Sequence, residues 1–192
     1  MTREEQIIDH ISVGNRGILE KAKVEERIIC IYTDDSEPTK FSVGFIRSVF
    51  HDTFIMKHIE STGKADGFIA GKIEDIYLIE TETKYLKKVQ KLWEMQAEKA
   101  DNAYMEEIEK NAFKSLLTYA MKHKKIVSIE LLHSGFTDIL GNVVEIKGQR
   151  LFLNTINEIG ESNGEAVALL EDITHLSCDG SEEMKIALLQ KS

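Results

Sequence analysis

Residues 63–76 read GKADGFIAGKIEDI, and residues 160–173 read GESNGEAVALLEDI. These stretches lie 97 positions apart and share, without a gap, two glycines four residues apart and a closing Glu-Asp-Ile. Further identities at the same offset pair Gly44 with Gly141 and Ile59 with Ile156. Roughly two identities would be expected by chance over windows of this length at average composition. The sequence therefore predicts two copies of one small unit.

The repeat also predicts how the chain divides. We expect an N-terminal unit at 1–82, a connecting helix at 83–112 and a C-terminal unit at 113–192. A single proline and the absence of a Gly/Ser-rich run argue against a disordered linker. No stretch approaches ~18 consecutive apolar residues, and residues 3–5 are charged where a signal peptide would be apolar. We therefore expect a cytoplasmic protein that makes no membrane contact.

The net charge is −9, from 33 acidic and 24 basic residues. Proteins that coat nucleic acid usually carry the opposite sign, because neutralised phosphates supply most of the non-specific affinity. The charge balance therefore counts against bulk DNA or RNA binding, although it leaves room for a local basic patch.

Runs of β-branched residues and turn signals predict five short strands in each unit. The first three pairs of strands are expected at 28–32 and 126–132, at 41–49 and 137–146, and at 54–59 and 151–156. Gly44 and Gly141 fall in the middle of strand two, where a missing side chain permits a bend or bulge. The loops before strand four carry glycine pairs, namely Gly63 with Gly67 and Gly160 with Gly164. Strand four ends near 73 or 170.

Apolar residues at helical spacing predict a short helix before each sheet. Gly14 and Gly17 are expected to interrupt the first one. Between the units, residues 83–121 should form one long helix or a pair of helices that break at Asp101-Asn102. A last helix should begin at Ser181.

This order of elements resembles the Sm-like family of SH3-like small β-barrels. The likeness rests on a leading helix, five short strands, the mid-strand glycine and a turn that carries Asp-Ile into strand five. It covers about 16–80 and 114–178, and it is similar to the pattern of bacterial proteins with two Sm-like barrels. The resemblance implies a mostly β (α+β) fold of two tandem five-stranded barrels, each preceded by a short helix and joined by a long central helix.

The chain departs from the RNA-binding members of that family. Those members place Asp and Asn between strands two and three and an Arg-Gly pair before strand five. Here the first loop reads FHDT at 50–53 and KGQR at 147–150, and the later segment carries Glu74-Asp75 or Glu171-Asp172. Because a carboxylate pair repels phosphate, uridine-type recognition is not expected from the resemblance.

We expect no catalytic, cofactor-binding or metal-binding residues, and hence no enzyme. Adjacent residues of a strand point to opposite faces, so a Glu-Asp pair does not easily converge on one metal ion. Asp75 and Asp172 are instead expected to accept hydrogen bonds from turn amides. The glycine loops lack the Lys-Ser/Thr ending of a phosphate-binding loop, and the six histidines lack metal-ligand spacing. The two cysteines are expected to be packing residues.

Lys122, Lys124 and Lys125 form the densest basic cluster. Lysines at the C-terminal end of a helix complement its dipole, which gives them a structural role. The alternative is contact with an anion or nucleic acid, aided by Lys147 and Arg150.

The leading hypothesis is a non-enzymatic binding or scaffold protein that acts through protein contacts and self-association. Open strand edges supply one surface. An apolar stripe of Trp93, Tyr104 and Phe113 on the connecting helix is expected to pack either on the barrels or on another subunit, where it would supply a second surface. We therefore expect a homo-oligomer with no cofactor. The alternative is a regulatory RNA- or DNA-binding protein that uses the basic residues. The sequence does not identify a protein partner.

Overall fold

The computed structural model describes residues 3–34, 37, 39–96 and 110–190. The helices of this part of the chain are α1 (Arg3–Val24), α2 (Lys84–Met95), α3 (Ala112–His123) and α4 (Ser181–Leu189). Its strands are β1 (Ile28–Tyr32), β2 (Ser42–Val49), β3 (Thr53–Ile59), β4 (Ala65–Lys72), β5 (Leu78–Thr81), β6 (Ile126–Leu131), β7 (Ile139–Lys147), β8 (Arg150–Ile156), β9 (Ser162–Leu169) and β10 (Ile173–Cys178). The predicted strands are confirmed, because each strand end that the sequence predicted lies within three residues of the observed end.

All ten strands belong to one antiparallel sheet, in the order β5-β1-β2-β3-β4-β10-β6-β7-β8-β9. The prediction of two separate five-stranded barrels is therefore wrong. It fails because β4 of the first half pairs directly with β10 of the second half. Within each half the strand order is the same, since β5-β1-β2-β3-β4 corresponds to β10-β6-β7-β8-β9.

The predicted long central helix is also wrong, because two short helices are found. α2 stops at Gln96, whose backbone is extended (φ −82°, ψ 123°) and whose side-chain Nε2 donates to the Thr62 carbonyl at 2.8 Å. The next helix, α3, starts afresh where the Asn111 side chain accepts a hydrogen bond from the Lys114 amide at 3.2 Å. Residues 97–109, including the expected break at Asp101-Asn102 and the apolar Tyr104, lie outside the described residues.

The first helix is longer than the sequence suggested. α1 runs through Gly14 and Gly17 instead of being interrupted by them. A Cβ at either position would meet no other atom, and a glycine inside a helix costs only about 1 kcal/mol. Leu19 and Ala22 bury their side chains in the first half of the molecule, and this packing outweighs the weak local preference.

The mid-strand glycines lie where a neighbouring backbone approaches closely. A Cβ on Gly44 would overlap the carbonyl oxygen of Lys57, and a Cβ on Gly141 would overlap that of Asn154. The register of β2 against β3 shifts between Ile46 and Ser48, and that of β7 against β8 shifts 97 positions later. The predicted irregularity in strand two is therefore present, and it follows each glycine by two residues.

One hydrophobic core crosses from the first half of the sheet to the second. Ile55, Phe68 and Ala70 of β3 and β4 are buried in the same cluster as six of the twelve residues of α3. The Phe68 and Tyr119 rings meet edge to face with centroids 5.9 Å apart. No helix of the described chain has the length and apolar character that crossing a lipid bilayer requires.

Replacing Gly141 with Val should lower the free energy of unfolding by about 1–3 kcal/mol, since the side chain meets the Asn154 carbonyl. Gly17→Ala is the matched control, because a Cβ there meets nothing, and it should leave stability unchanged or raise it by up to about 1 kcal/mol. Chemical denaturation measures both. Equal stability of the two variants would contradict the close-approach explanation.

Candidate functional site at the sheet seam and open edges

We call the paired strands β4 and β10 the seam. The ladder has four residue pairs, which are His175 with Gly71, Leu176 with Ala70, Ser177 with Ile69 and Cys178 with Phe68. Helix α3 lies across the seam, since it contacts β3 and β4 of the first half as well as β7 of the second. The seam is therefore closed by backbone hydrogen bonds and by apolar packing together.

Asp66 anchors the helix that follows the seam. Its Oδ1 accepts a hydrogen bond of 2.6 Å from the backbone amide of Ser181, the first residue of α4. Its Oδ2 lies 3.0 Å from His58 Nδ1. The His58 hydrogen bond, followed by those from Ser181, lowers the pKa of Asp66 from 3.8 to about 2. The carboxylate therefore favours the folded state most strongly when it is ionised.

Gly67 allows the backbones of the two seam segments to approach each other closely. It has φ +71°, and a Cβ there would overlap the carbonyl oxygen of Cys178 and the amide nitrogen of Gly180. Asp179, between those two residues, also has a left-handed backbone (φ 65°). Its carboxylate is held by Lys125 Nζ at 2.7 Å and by the Tyr119 hydroxyl at 3.2 Å. A left-handed residue thus turns the chain from β10 into α4.

Among the described strands, β5 and β9 each have only one hydrogen-bonded neighbour. They form the two open edges of the sheet. β9 (Ser162–Leu169) begins and ends 97 positions after β4, and Leu78–Thr81 of β5 lies 97 positions before the four β10 residues of the seam. The open edges therefore correspond, strand for strand, to the two strands that join the halves.

The backbone of the β9 edge resembles that of β4 in the seam, but no second strand pairs with it. Gly164, 97 positions after Gly67, has φ +95°, but a Cβ there would meet nothing within 4 Å. Val167 is 60% exposed, whereas Ala70 at the corresponding place in β4 is fully buried. Asn163 is exposed and supplies an amide where Asp66 supplies a carboxylate.

The edge at β5 matches the other side of the seam. Glu82 follows β5 with φ 59°, as Asp179 follows β10 with φ 65°. Thr83 then caps α2 by accepting a hydrogen bond from the Leu86 amide at 3.2 Å. The first amides of a helix have no acceptor within it, so the N-terminus of α2 offers the type of donor that Ser181 offers in α4.

The predicted basic residues occupy two places, the end of α3 and the β7–β8 turn. Lys122 and Lys124 are exposed at the end of α3, whereas Lys125 pairs with Asp179. Lys147 and Arg150 are exposed and face each other across the β7–β8 turn. Asn142 of β7 pairs with Ile126, the residue that follows Lys125. The β7–β8 turn begins five residues further along β7, a strand distance of about 17 Å from Asn142.

The two predicted glycine loops pack on helices. A Cβ on Gly63 (φ +80°) would meet the backbone of Leu92, and a Cβ on Gly160 (φ +83°) would meet that of Gln190. These contacts give both glycines structural roles.

The two predicted turn carboxylates lack the expected capping hydrogen bonds. No group of the described chain donates one to Asp75, and no side chain caps the 3₁₀ turn Leu170–Asp172 that contains Asp172. Asp75 is instead 3.8 Å from the Nε2 of His133 in the second half.

Sequence reasoning missed the role of Asp66, although the signal was present. Asp66 and Asn163 both precede the second glycine of their loops, and both can accept a helix N-terminal amide. Trp93 and Phe113 of the proposed apolar stripe are not a shared interface. Trp93 packs on Phe45 of the first half (5.7 Å between centroids), whereas Phe113 is buried in the core that crosses the seam.

Comparison with known proteins found no matching family model, no matching curated protein and no matching solved structure. The resemblance to the Sm-like family therefore stays a prediction.

Replacing Asp66 with Ala should lower stability by about 1–2 kcal/mol at pH 6, because a carboxylate with a depressed pKa loses its partners. The folded pKa of about 2 lies below the ordinary 3.8. The stabilisation is therefore complete above about pH 4 and is lost as the pH falls towards 2. Denaturation curves of wild type and variant should converge over that range. Asp52→Ala, at an exposed position, is the control, and an equal loss there would rule out the seam explanation.

Proposed function

We propose that this chain is a non-enzymatic scaffold protein that binds copies of itself head to tail, with β9 of one copy pairing with β5 of the next. The observation that carries the proposal is that the open edges correspond to the two strands already joined inside the chain. On this proposal the chain is a duplicated unit, and the seam is the internal version of the contact between copies.

The open edges carry neither lysine nor proline, although β5 is short and the register of β9 against β8 shifts between Asn154 and Ile156. Natural edge strands are blunted by lysine, proline or bulges. β9 instead carries exposed Val167 and Leu169, with Glu165 as its only charged residue. Tyr77 and Leu78, at the start of the β5 edge, are also exposed. Pairing with a second copy would cover these groups.

The seam also supplies a register for the contact. Shifting its four pairs by 97 positions sets Leu78 opposite Ala168 and Thr81 opposite Glu165. Gly164 would then lie against the chain turning into α2 of the next copy. The Asn163 side chain would accept a hydrogen bond from the Lys84 amide, as Asp66 does from Ser181.

The helix that would cover this contact is present as well. Leu116 of α3 is fully buried in the core that crosses the seam. Ile18 of α1, 98 positions earlier, is 43% exposed. In the assembly α1 of one copy would lie over β8 and β9 of its neighbour. Because the contact joins two different surfaces, it produces a closed ring or an open filament.

Light scattering coupled to size exclusion at about 10–100 μM tests the proposal. We expect assemblies of two or more chains, at whole multiples of the chain mass of 21.8 kDa, because micromolar affinity is ordinary for a specific contact. A monomer throughout this range would overturn self-association.

Gly164→Ala should return the protein to a monomer. The added Cβ has open space within one chain but would overlap the backbone of the neighbouring copy, as it would at Gly67. Gly148→Ala is the matched control, since it also has a positive φ (+62°) and open space but lies in the β7–β8 turn. Each change should cost the single chain about 1 kcal/mol. Assembly of both variants to the same mass would rule out the β9 edge.

A further inference from the structure

A cavity of about 300 Å³ opens beside the seam, between the two halves of one chain. Its first wall comes from Thr33 and Asp34 after β1, from residues 40–42 at the start of β2, and from Asp75 in the turn after β4. Its second wall comes from Glu130, His133, Thr174 and His175 of the second half. Since water occupies about 30 Å³ per molecule in the liquid, the space could hold about ten water-sized groups. Small-molecule sites begin at this size.

The walls carry more negative than positive charge. Three carboxylates, those of Asp34, Asp75 and Glu130, face one ammonium group, that of Lys40. Burial, followed by the charges of Lys40 and His58, lowers the pKa of His175 to about 4, so its imidazole is neutral at pH 7. The cavity therefore disfavours anions such as phosphate and favours a cation.

Two of the carboxylates are already satisfied by the protein. The Glu130 Oε1 accepts hydrogen bonds from the Gly135 amide at 3.2 Å and the Thr174 hydroxyl at 3.5 Å. The Asp34 Oδ1 accepts a hydrogen bond from the Glu37 amide at 3.3 Å, and its Oδ2 lies 3.9 Å from Lys40 Nζ. That ammonium group also donates to the Gly135 carbonyl at 3.1 Å, so it is held at the rim.

Asp75 is the carboxylate left short of donors. Its side chain is only 14% exposed, and its ion pair with His133 is long at 3.8 Å. Burial raises the pKa of Asp75, while the charges of His133 and Lys72 oppose that rise. A donor entering the cavity would form a charge-assisted hydrogen bond with this carboxylate.

We infer that this cavity binds a small organic cation through a primary ammonium group seated on Asp75. The ammonium group offers three donors. The half-exposed Phe41 ring lines the same cavity and provides the aromatic face on which such a cation is favoured. Among the described residues no three His, Cys, Asp or Glu side chains are grouped to hold a metal ion, so the ligand class is organic.

Calorimetric titration of the full chain with 1,4-diaminobutane at pH 7 and 150 mM NaCl tests the inference, with succinate as the anionic probe of similar length. We expect saturable binding of the diamine, at least tenfold weaker in Asp75→Asn, and no binding of succinate. Glu74→Gln is the matched control, because this exposed neighbour lies on the same turn, and its affinity should stay within twofold of wild type.

Equal diamine affinity in wild type and Asp75→Asn would overturn the inference, as would absence of diamine binding or preference for succinate. Phe41→Leu provides a second variant, since the side chain is 40% exposed and leucine stays apolar, although its ring contacts with Tyr32 and Tyr85 are lost. It should weaken diamine binding severalfold, and unchanged affinity would remove the aromatic face from the site. The cavity lies within one chain, so Gly164→Ala should bind the diamine as wild type does. Loss of assembly and loss of diamine binding are thus separate results.

Discussion

The backbone ladder between β4 and β10 is the constraint on which the rest of the molecule depends. Four residue pairs join the halves, and α3 covers them from one side. Separating the halves would expose two strand edges together with Ile55 and Phe68, whose burial is worth about 1.5–3 kcal/mol each. The ladder therefore makes ten strands into one sheet with a continuous core.

The polar features of the seam follow from where that ladder stops. At one end, Asp66 and Gly67 receive the turn into α4, where a side chain at Gly67 would overlap the opposing backbone. At the other end, the last pair is Gly71 with His175, and beyond it Lys72 Nζ donates to the Glu171 carbonyl at 3.2 Å. Beyond this point the two strands diverge, and the acidic cavity lies beside the place where they separate. The anchoring of α4 and the position of the cavity are thus set by the two ends of one short ladder.

Local pattern was sufficient for the strands and insufficient for their assembly. Runs of β-branched residues bounded by turn signals located β1 and β3, because such a run is a local property of the sequence. The pairing of β4 with β10 joins residues about 107 positions apart, as in Ile69 with Ser177 (108 positions), and no local pattern encodes such a contact. One signal was available: Phe68 is replaced 97 positions later by Glu165. An apolar residue in β4 against a charged one in β9 distinguishes a buried strand from an edge. The cavity could not be predicted, since it depends on how two distant turns face each other.

In the proposed assembly, the contact between copies would differ in strength from the seam for a physical reason. Inside the chain the two strands are covalently linked, so their effective concentration is high and pairing is permanent. Between copies no such link exists, and the β9 edge presents Glu165 and Ala166 where β4 presents Phe68 and Ile69. In the proposed assembly less apolar area would be buried there, while the same loss of translational freedom must be overcome. The contact between copies would therefore be weaker than the seam and would depend on protein concentration.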